Sequence, residues 1–288
     1  MSGISTIILT ENNLSQSGTF DASTQPGPYN RLSLPVNTDL TNYEVCLNRA
    51  NLYYSWPNVS ASNNQAMTIQ WPVGAGFNTY NFNLDLGNYE SIDALNNALQ
   101  QFCILNGLYL INGIQNVYYI QLAANPSRYG VDLTLFKVPT SLPGLFTAPG
   151  SWPGYPSTNI TPKVQFKAGF NKLIGFNTST VFDGGLTQTT FNSTFTPQLS
   201  PTSSILMTLN IANNQLSLNN SNSVISVFTT KDTAFGSILQ IEPNSEVWFD
   251  VNAKSCSNIV VEFYDQDYNR LAIQDPQITV MLLLRKKK

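Results

Sequence analysis

The densest acidic group in the chain is Asp265-Gln-Asp267-Tyr-Asn269, whose alternating oxygen-bearing side chains begin like a calcium-binding loop. Two later positions break that pattern. Arg270 stands where such a loop needs a glycine for its sharp turn, and Pro276 where it needs a bidentate glutamate. A solvated turn between the last two strands is the better reading. The 288 residues include no histidine. That removes the commonest general base, the commonest metal ligand and every Ser–His or Cys–His pair. The three cysteines, Cys46, Cys103 and Cys256, are far apart and form no Cys-x-x-Cys pair, so the spacing supports no zinc site. Cys46 lies in a strand-like run and Cys103 in a helical one, and both read as small core residues. Gly74-Ala-Gly76 lacks the spacing and the Lys-Ser/Thr pair of a phosphate loop, and Gly184-Gly185 reads as a turn. No catalytic, cofactor-binding or metal-ligating residue is expected, and the chain does not read as an enzyme.

The surface implied by the composition is unusual. Charged residues make up 11% of the chain, against about 25% in an average soluble protein. Asn, Gln, Ser and Thr take their place. Such a surface lacks the repulsion that keeps proteins apart, and suits a chain packed against neighbours. A nucleotide-composition bias toward Asn gives the same deficit, and the two explanations are compatible. Net charge is only −3, so steering of a charged partner is not the theme. The one cluster is the C-terminal Arg285-Lys286-Lys287-Lys288. It reads either as a solubilising end to the last strand or as a weak, salt-sensitive contact with nucleic acid or an acidic neighbour. The longest apolar run, Ile278 to Leu284, suffices for one strand and not for a membrane-spanning helix. The start, Met1-Ser-Gly-Ile-Ser-Thr6, lacks the basic region of a secretion signal, so synthesis inside the cell is expected.

These side chains must be carried by strands. Residues 1–30 are polar apart from Ile4–Leu9 and read as an N-terminal arm, with that run as an isolated strand or docking segment. From Tyr29 onward strand-like runs recur. In the run from Tyr43 to Trp56, Val45 and Leu47 alternate with polar positions, the pattern slips at Arg49, then resumes at Leu52 and Tyr54. Phe82, Leu84 and Leu86 alternate likewise. One helix interrupts, over about 91–106: Ile92, Leu95, Leu99, Phe102 and Cys103 share a face, Ser91 is the N-cap and Gly107 the left-handed stop. Residues 139–162 are rich in Pro, Gly and aromatics and read as a long loop pinned by its rings. Phe170–Phe176 reads as a turn carrying an apolar cluster. The last third returns to strands, and the spacing predicts an all-β sandwich or barrel.

Several passages resemble the minor capsid, or penton, proteins of virophages, Polintons and Polinton-like viruses, in the tectivirus–adenovirus capsid lineage. They are Val45-Cys-Leu-Asn-Arg-Ala-Asn-Leu-Tyr-Tyr-Ser-Trp56, Ala94-Leu-Asn-Asn-Ala-Leu99, Asn116-Val-Tyr-Tyr-Ile-Gln-Leu122, Trp152-Pro-Gly-Tyr-Pro156, Lys172-Leu-Ile-Gly-Phe176 and the ending from Leu271 to Arg285. The resemblance implies an all-β jelly-roll sandwich over residues 31–288, with an insertion or long loops in about 139–200. It further implies a virion protein that forms homopentamers closing the five-fold vertices of an icosahedral capsid, beside the major capsid protein of the same virus. The arm would reach a neighbour or the shell interior. A different class remains open on the residues themselves: a glycan- or surface-binding β-sandwich, fibre-like or lectin-like, using aromatics such as Trp152 and Tyr155.

Overall fold

The computed structural model describes residues 4–14, 29–36, 39–61, 63–200, 202–213, 217–218, 222–230, 233–251 and 258–287. The chain divides into two compact units, Met1–Pro57 with Thr202–Lys288, and Asn58–Pro201.

In the first unit the two-residue strands Ala212–Asn213 and Ser217–Leu218 are added at the sheet edges, and the period-two runs become nine strands of three residues or more. They are β1 (Ile4–Leu9), β2 (Arg31–Pro35), β3 (Tyr43–Tyr53), β4 (Ile205–Leu209), β5 (Asn222–Phe228), β6 (Ile238–Ile241), β7 (Phe249–Val251), β8 (Asn258–Asp265) and β9 (Thr279–Lys286). One antiparallel sheet has the order β1-β9-β3, with β6 and β7 pairing successive parts of the far side of β3. The other has the order β2-β8-β4-β5. The chain changes sheet at every step except the β4–β5 pair and the split β6–β7 edge. That is the strand order of a jelly roll. Alternation then puts one face of each strand into a shared core. Val45, Leu52, Val280 and Leu282 from the first sheet meet Ile205, Leu209, Val261 and Phe263 from the second, all fully buried.

The slip at Arg49 is a β-bulge. Met281 pairs with Arg49 but Leu282 pairs with Leu47, so Asn48 is the extra residue on β3. The bulge restores Ala50 and Leu52 to the core face.

The second unit is a continuous insertion between β3 and β4. Strands Gln65–Val73 and Gly76–Asn83 form a hairpin extended by Lys163–Phe166 and Phe182–Asp183. Two three-stranded sheets, 109–118 with 146–147 and 120–135 with 189–192, complete it. Helix α1 (Ile92–Leu105) buries Ile92, Leu95, Leu99 and Cys103. The Ser91 hydroxyl accepts the Ala94 N–H at 3.1 Å. At the other end Leu108 N–H donates to Cys103 O and Gly107 N–H to Ile104 O, a Schellman motif that needs the left-handed Gly107 at φ 70. The Asn96 side chain accepts the Leu122 N–H at 2.9 Å and ties the helix to the sheet.

Three expectations change. The arm assigned to 1–30 contains a core-forming strand: β1 pairs in register along β9 and buries Leu9 completely. Its partner lies at the other end of the chain, so no local signal announces the pairing. Residues 15–28 of that arm lie outside the described residues. The inserted unit begins at Asn58, well before 139, because strands 65–83 carry the same period two as the jelly-roll strands. Phe170–Ile174 is a short second helix, α2, where a turn was expected.

Candidate interaction surface

The residues singled out for chemistry are occupied by structural tasks. The Asp265 carboxylate accepts the N–H groups of Asp267 and Asn269, each at 2.9 Å, and the Asn269 side-chain amide at 3.1 Å. It is therefore the organiser of its own turn, with Tyr268 left-handed at φ 62. Arg270 turns away to the buried Glu262 at 3.0 Å. Sequence reasoning missed Glu262. It sits amid an apolar β8 run, and its contacts with Arg270, with Arg31 at 3.8 Å and with the Tyr264 hydroxyl at 2.9 Å account for a carboxylate there. Among the described residues no three His, Cys, Asp or Glu side chains gather as a metal site. Burial pushes the Cys46 thiol up to about 11 and the Cys103 thiol up to about 12, which leaves both protonated and unreactive at neutral pH. Cys256 lies outside the described residues. Gly74 turns the 65–83 hairpin, and Gly184 donates to the Thr161 hydroxyl at 3.0 Å.

The aromatics offered for glycan binding are packed. Trp152 stands edge-on to Trp71, ring centroids 5.7 Å apart, and Tyr155 packs on Trp152 at 5.4 Å. Both are half-buried and pin the 139–162 loop to the hairpin. The basic end is engaged as well. Arg285 donates to Glu44 at 2.6 Å and stacks 4.0 Å over Trp248, Lys287 pairs with Asp250 at 2.9 Å, and Lys286 lies 5.9 Å over Tyr43. Lys288 is outside the described residues. No helix among the described residues is long and apolar enough to cross a membrane.

What stands out instead is a face of the jelly roll. The run Ile278–Leu284 is apolar at every position but Thr279, whereas a half-buried strand should alternate. Val280, Leu282 and Leu284 point into the core; Met281 and Leu283 point outward and are half-covered. On the adjoining strand Ile8 opposes Met281 and Ile4 opposes Arg285, with Ile4 58% and Ile8 50% exposed. Outward Ile4, Ile8, Met281 and Leu283 thus form one apolar stripe, closed at one end by the Arg285–Glu44–Trp248 group. The free side of β1 carries no strand among the described residues. Its sequence, Ile-Ser-Thr-Ile-Ile-Leu, has no charge, Pro or Lys to discourage pairing.

The other end of the same sheet is split: Ala212–Asn213 pairs β7, while β6 carries no further strand among the described residues. The chain leaves the edge after Ile241 and returns at Phe249, and Pro243 within the excursion has no N–H for a ladder. This leaves a groove of about 440 Å³ between β5 and residues 240–247. Leu47, Ile225, Val227, Phe228, Ile241 and Val247 line it. Val227 is 59% and Val247 53% exposed. Glu242 stands at the rim, where hydrogen bonds from Arg49 hold its carboxyl below the usual range.

No family model and no curated protein matches this chain. Among solved structures, a crystal structure of selenomethionine-labelled mavirus penton protein is similar at 12% identity, over 99% of this chain and 98% of that one, with a TM-score of 0.41. The jelly-roll assignment rests on the strand order described above.

Proposed function

We propose that this chain is a structural virion protein, the penton subunit whose homopentamers close the five-fold vertices of an icosahedral capsid, in contact with the major capsid protein of the same virus. The observation that supports this reading is the jelly roll whose last strand is apolar on both faces while, among the described residues, its outward Met281 and Leu283 are only half-covered. A protein meant to stay alone places polar residues there. The 11% charged fraction supports the same reading, and so do the six passages that resemble penton proteins. A jelly roll by itself hosts many functions, so the argument rests on its uncovered face and its edges. The glycan-binding alternative loses its two named aromatics to the packing of the 139–162 loop. Negative-stain imaging of the purified chain tests the proposal: rings with five-fold symmetry are expected, and a strictly monomeric protein at high concentration, in low and in physiological salt, overturns it.

A further inference from the structure

We infer that the inserted unit carries a membrane-docking tip, whose Ile114, Leu145 and Leu142 enter the headgroup–acyl boundary of a zwitterionic phospholipid bilayer. This goes beyond the proposed assembly and does not depend on it. Strands Tyr109–Asn112 and Gln115–Tyr118 form a hairpin, and Phe146–Thr147 pairs with the first of them. Asn112 pairs with Gln115, so Gly113 and Ile114 alone make the turn. Such a turn needs glycine at its first position, here Gly113 at φ 62, and makes no demand for an apolar second residue, where Asn, Asp or Ser is usual. Ile114 stands there instead, 99% exposed. Phe146 pairs with Asn112, which brings a second turn to the same end of the sheet. In it the Phe146 N–H donates to Pro143 O at 2.9 Å, with Gly144 and Leu145 at the corners. Leu145 is 85% exposed and Leu142, just before the turn, 44%. Two adjoining turns thus present three apolar side chains at one end of one sheet.

Three features name a bilayer as the partner. First, the side chains project from turns and are convex. A protein partner would need a matching recess, whereas a bilayer yields around them. Second, residues 94–127 and 138–162 contain no charge, so the tip leaves water without burying an ion. Its surround is neutral and hydrogen-bonding: Asn112, Gln115, Asn116, Ser141 and Thr147 are all exposed and suit the headgroup layer. Third, backbone polarity, which lipid penalises, is reduced in the second turn and its flanks. The Phe146 N–H is bonded, and Pro139, Pro143 and Pro149 have none to leave free. Three apolar side chains give marginal, reversible binding, of the kind a single acyl chain supplies.

The test is flotation of the purified full chain with vesicles of phosphatidylcholine alone, and with phosphatidylserine added. Wild type should float with both, equally in low and in physiological salt, because no charge takes part. Ile114→Asn puts a favoured residue in its turn and Leu145→Asn changes an exposed corner, so the fold survives; unchanged circular dichroism melts check this. Each should lower partitioning about tenfold, and the double variant should stay at the bottom of the gradient. Leu186→Asn, at a 65% exposed position in another turn, should float like wild type. Wild type that floats with neither vesicle overturns the inference. So does flotation that needs phosphatidylserine and fails in physiological salt, flotation kept by the double variant, or an equal loss in Leu186→Asn. Loss of self-assembly by Ile114→Asn without lipid would make the tip a protein contact and overturn it as well. All of these outcomes leave the penton reading standing.

Discussion

The jelly roll and the inserted unit bury different kinds of side chain. The jelly-roll core is mostly Val, Leu and Ile on long alternating strands, with Val45, Leu52, Val280 and Leu282 facing Ile205, Leu209 and Val261. The inserted unit, with shorter strands and more loop, is held by rings. Phe166, Phe176, Phe182 and Phe191 form a chain with successive centroids 4.9 to 5.3 Å apart, and Trp71, Trp152 and Tyr155 form another. Regular sheets can interdigitate small branched side chains because register places them. Irregular chain cannot, and large rings bridge the wider, less repetitive gaps. The outer faces differ too. The jelly roll leaves an apolar stripe on a sheet, interrupted by Thr6 on β1, whereas the insertion exposes apolar residues at turns, such as Ile114 at 99% and Leu145 at 85%.

One buried thiol in each unit makes this contrast measurable. In a Cys256→Ser background, Cys46 reports on the jelly roll and Cys103 on the insertion. The largest effect is expected from Phe176→Ala. Its ring is 1% exposed and touches Phe166 and Phe182, so the loss should be about 3–5 kcal/mol. Alkylation of Cys103 should accelerate before that of Cys46; equal acceleration would mean the two units unfold as one. Leu282→Ala, at a fully buried position, should cost about 2–5 kcal/mol and reverse the order, exposing Cys46 first. Ser91→Ala removes the cap of α1 and should cost about 1 kcal/mol, read as faster amide exchange in the first turn of α1 with β9 unchanged.

The smallest effect is on pH. Burial raises the folded Cys103 thiol to about 12. The stability it contributes is full below the ordinary thiol value of about 8.5, and is lost as pH rises from there through the folded value. Urea midpoints should thus be flat in this respect from neutral to mildly alkaline pH and fall beyond, with the Cys103→Ala variant showing a shallower fall. An equal fall in that variant would assign the effect to other groups.

Local patterns were readable where a single run carries its own period or cap. The capped helix at 91–106 follows from its period and cap residues, and even the bulge showed as the slip at Arg49. What stayed hidden depends on distant pairing. Ile4–Leu9 looks like an isolated run until β9 is placed beside it, and the start of the insertion at Asn58 has no compositional mark. For the surface, the signal was present in Ile278–Leu284. A run apolar at both parities implies two covered faces, yet its length alone said only that one strand would fit. The groove could not be read at all, because it arises from a split edge whose walls come from β3, β5 and the excursion after Ile241. The Trp152 and Tyr155 rings misled for the same reason, since their partner Trp71 is far away in the chain.

Native mass spectrometry of the purified full chain is the most direct test of the assembly. A dominant complex of five 31.8 kDa chains is the predicted result. A spectrum holding only single chains at the highest soluble concentration would contradict it.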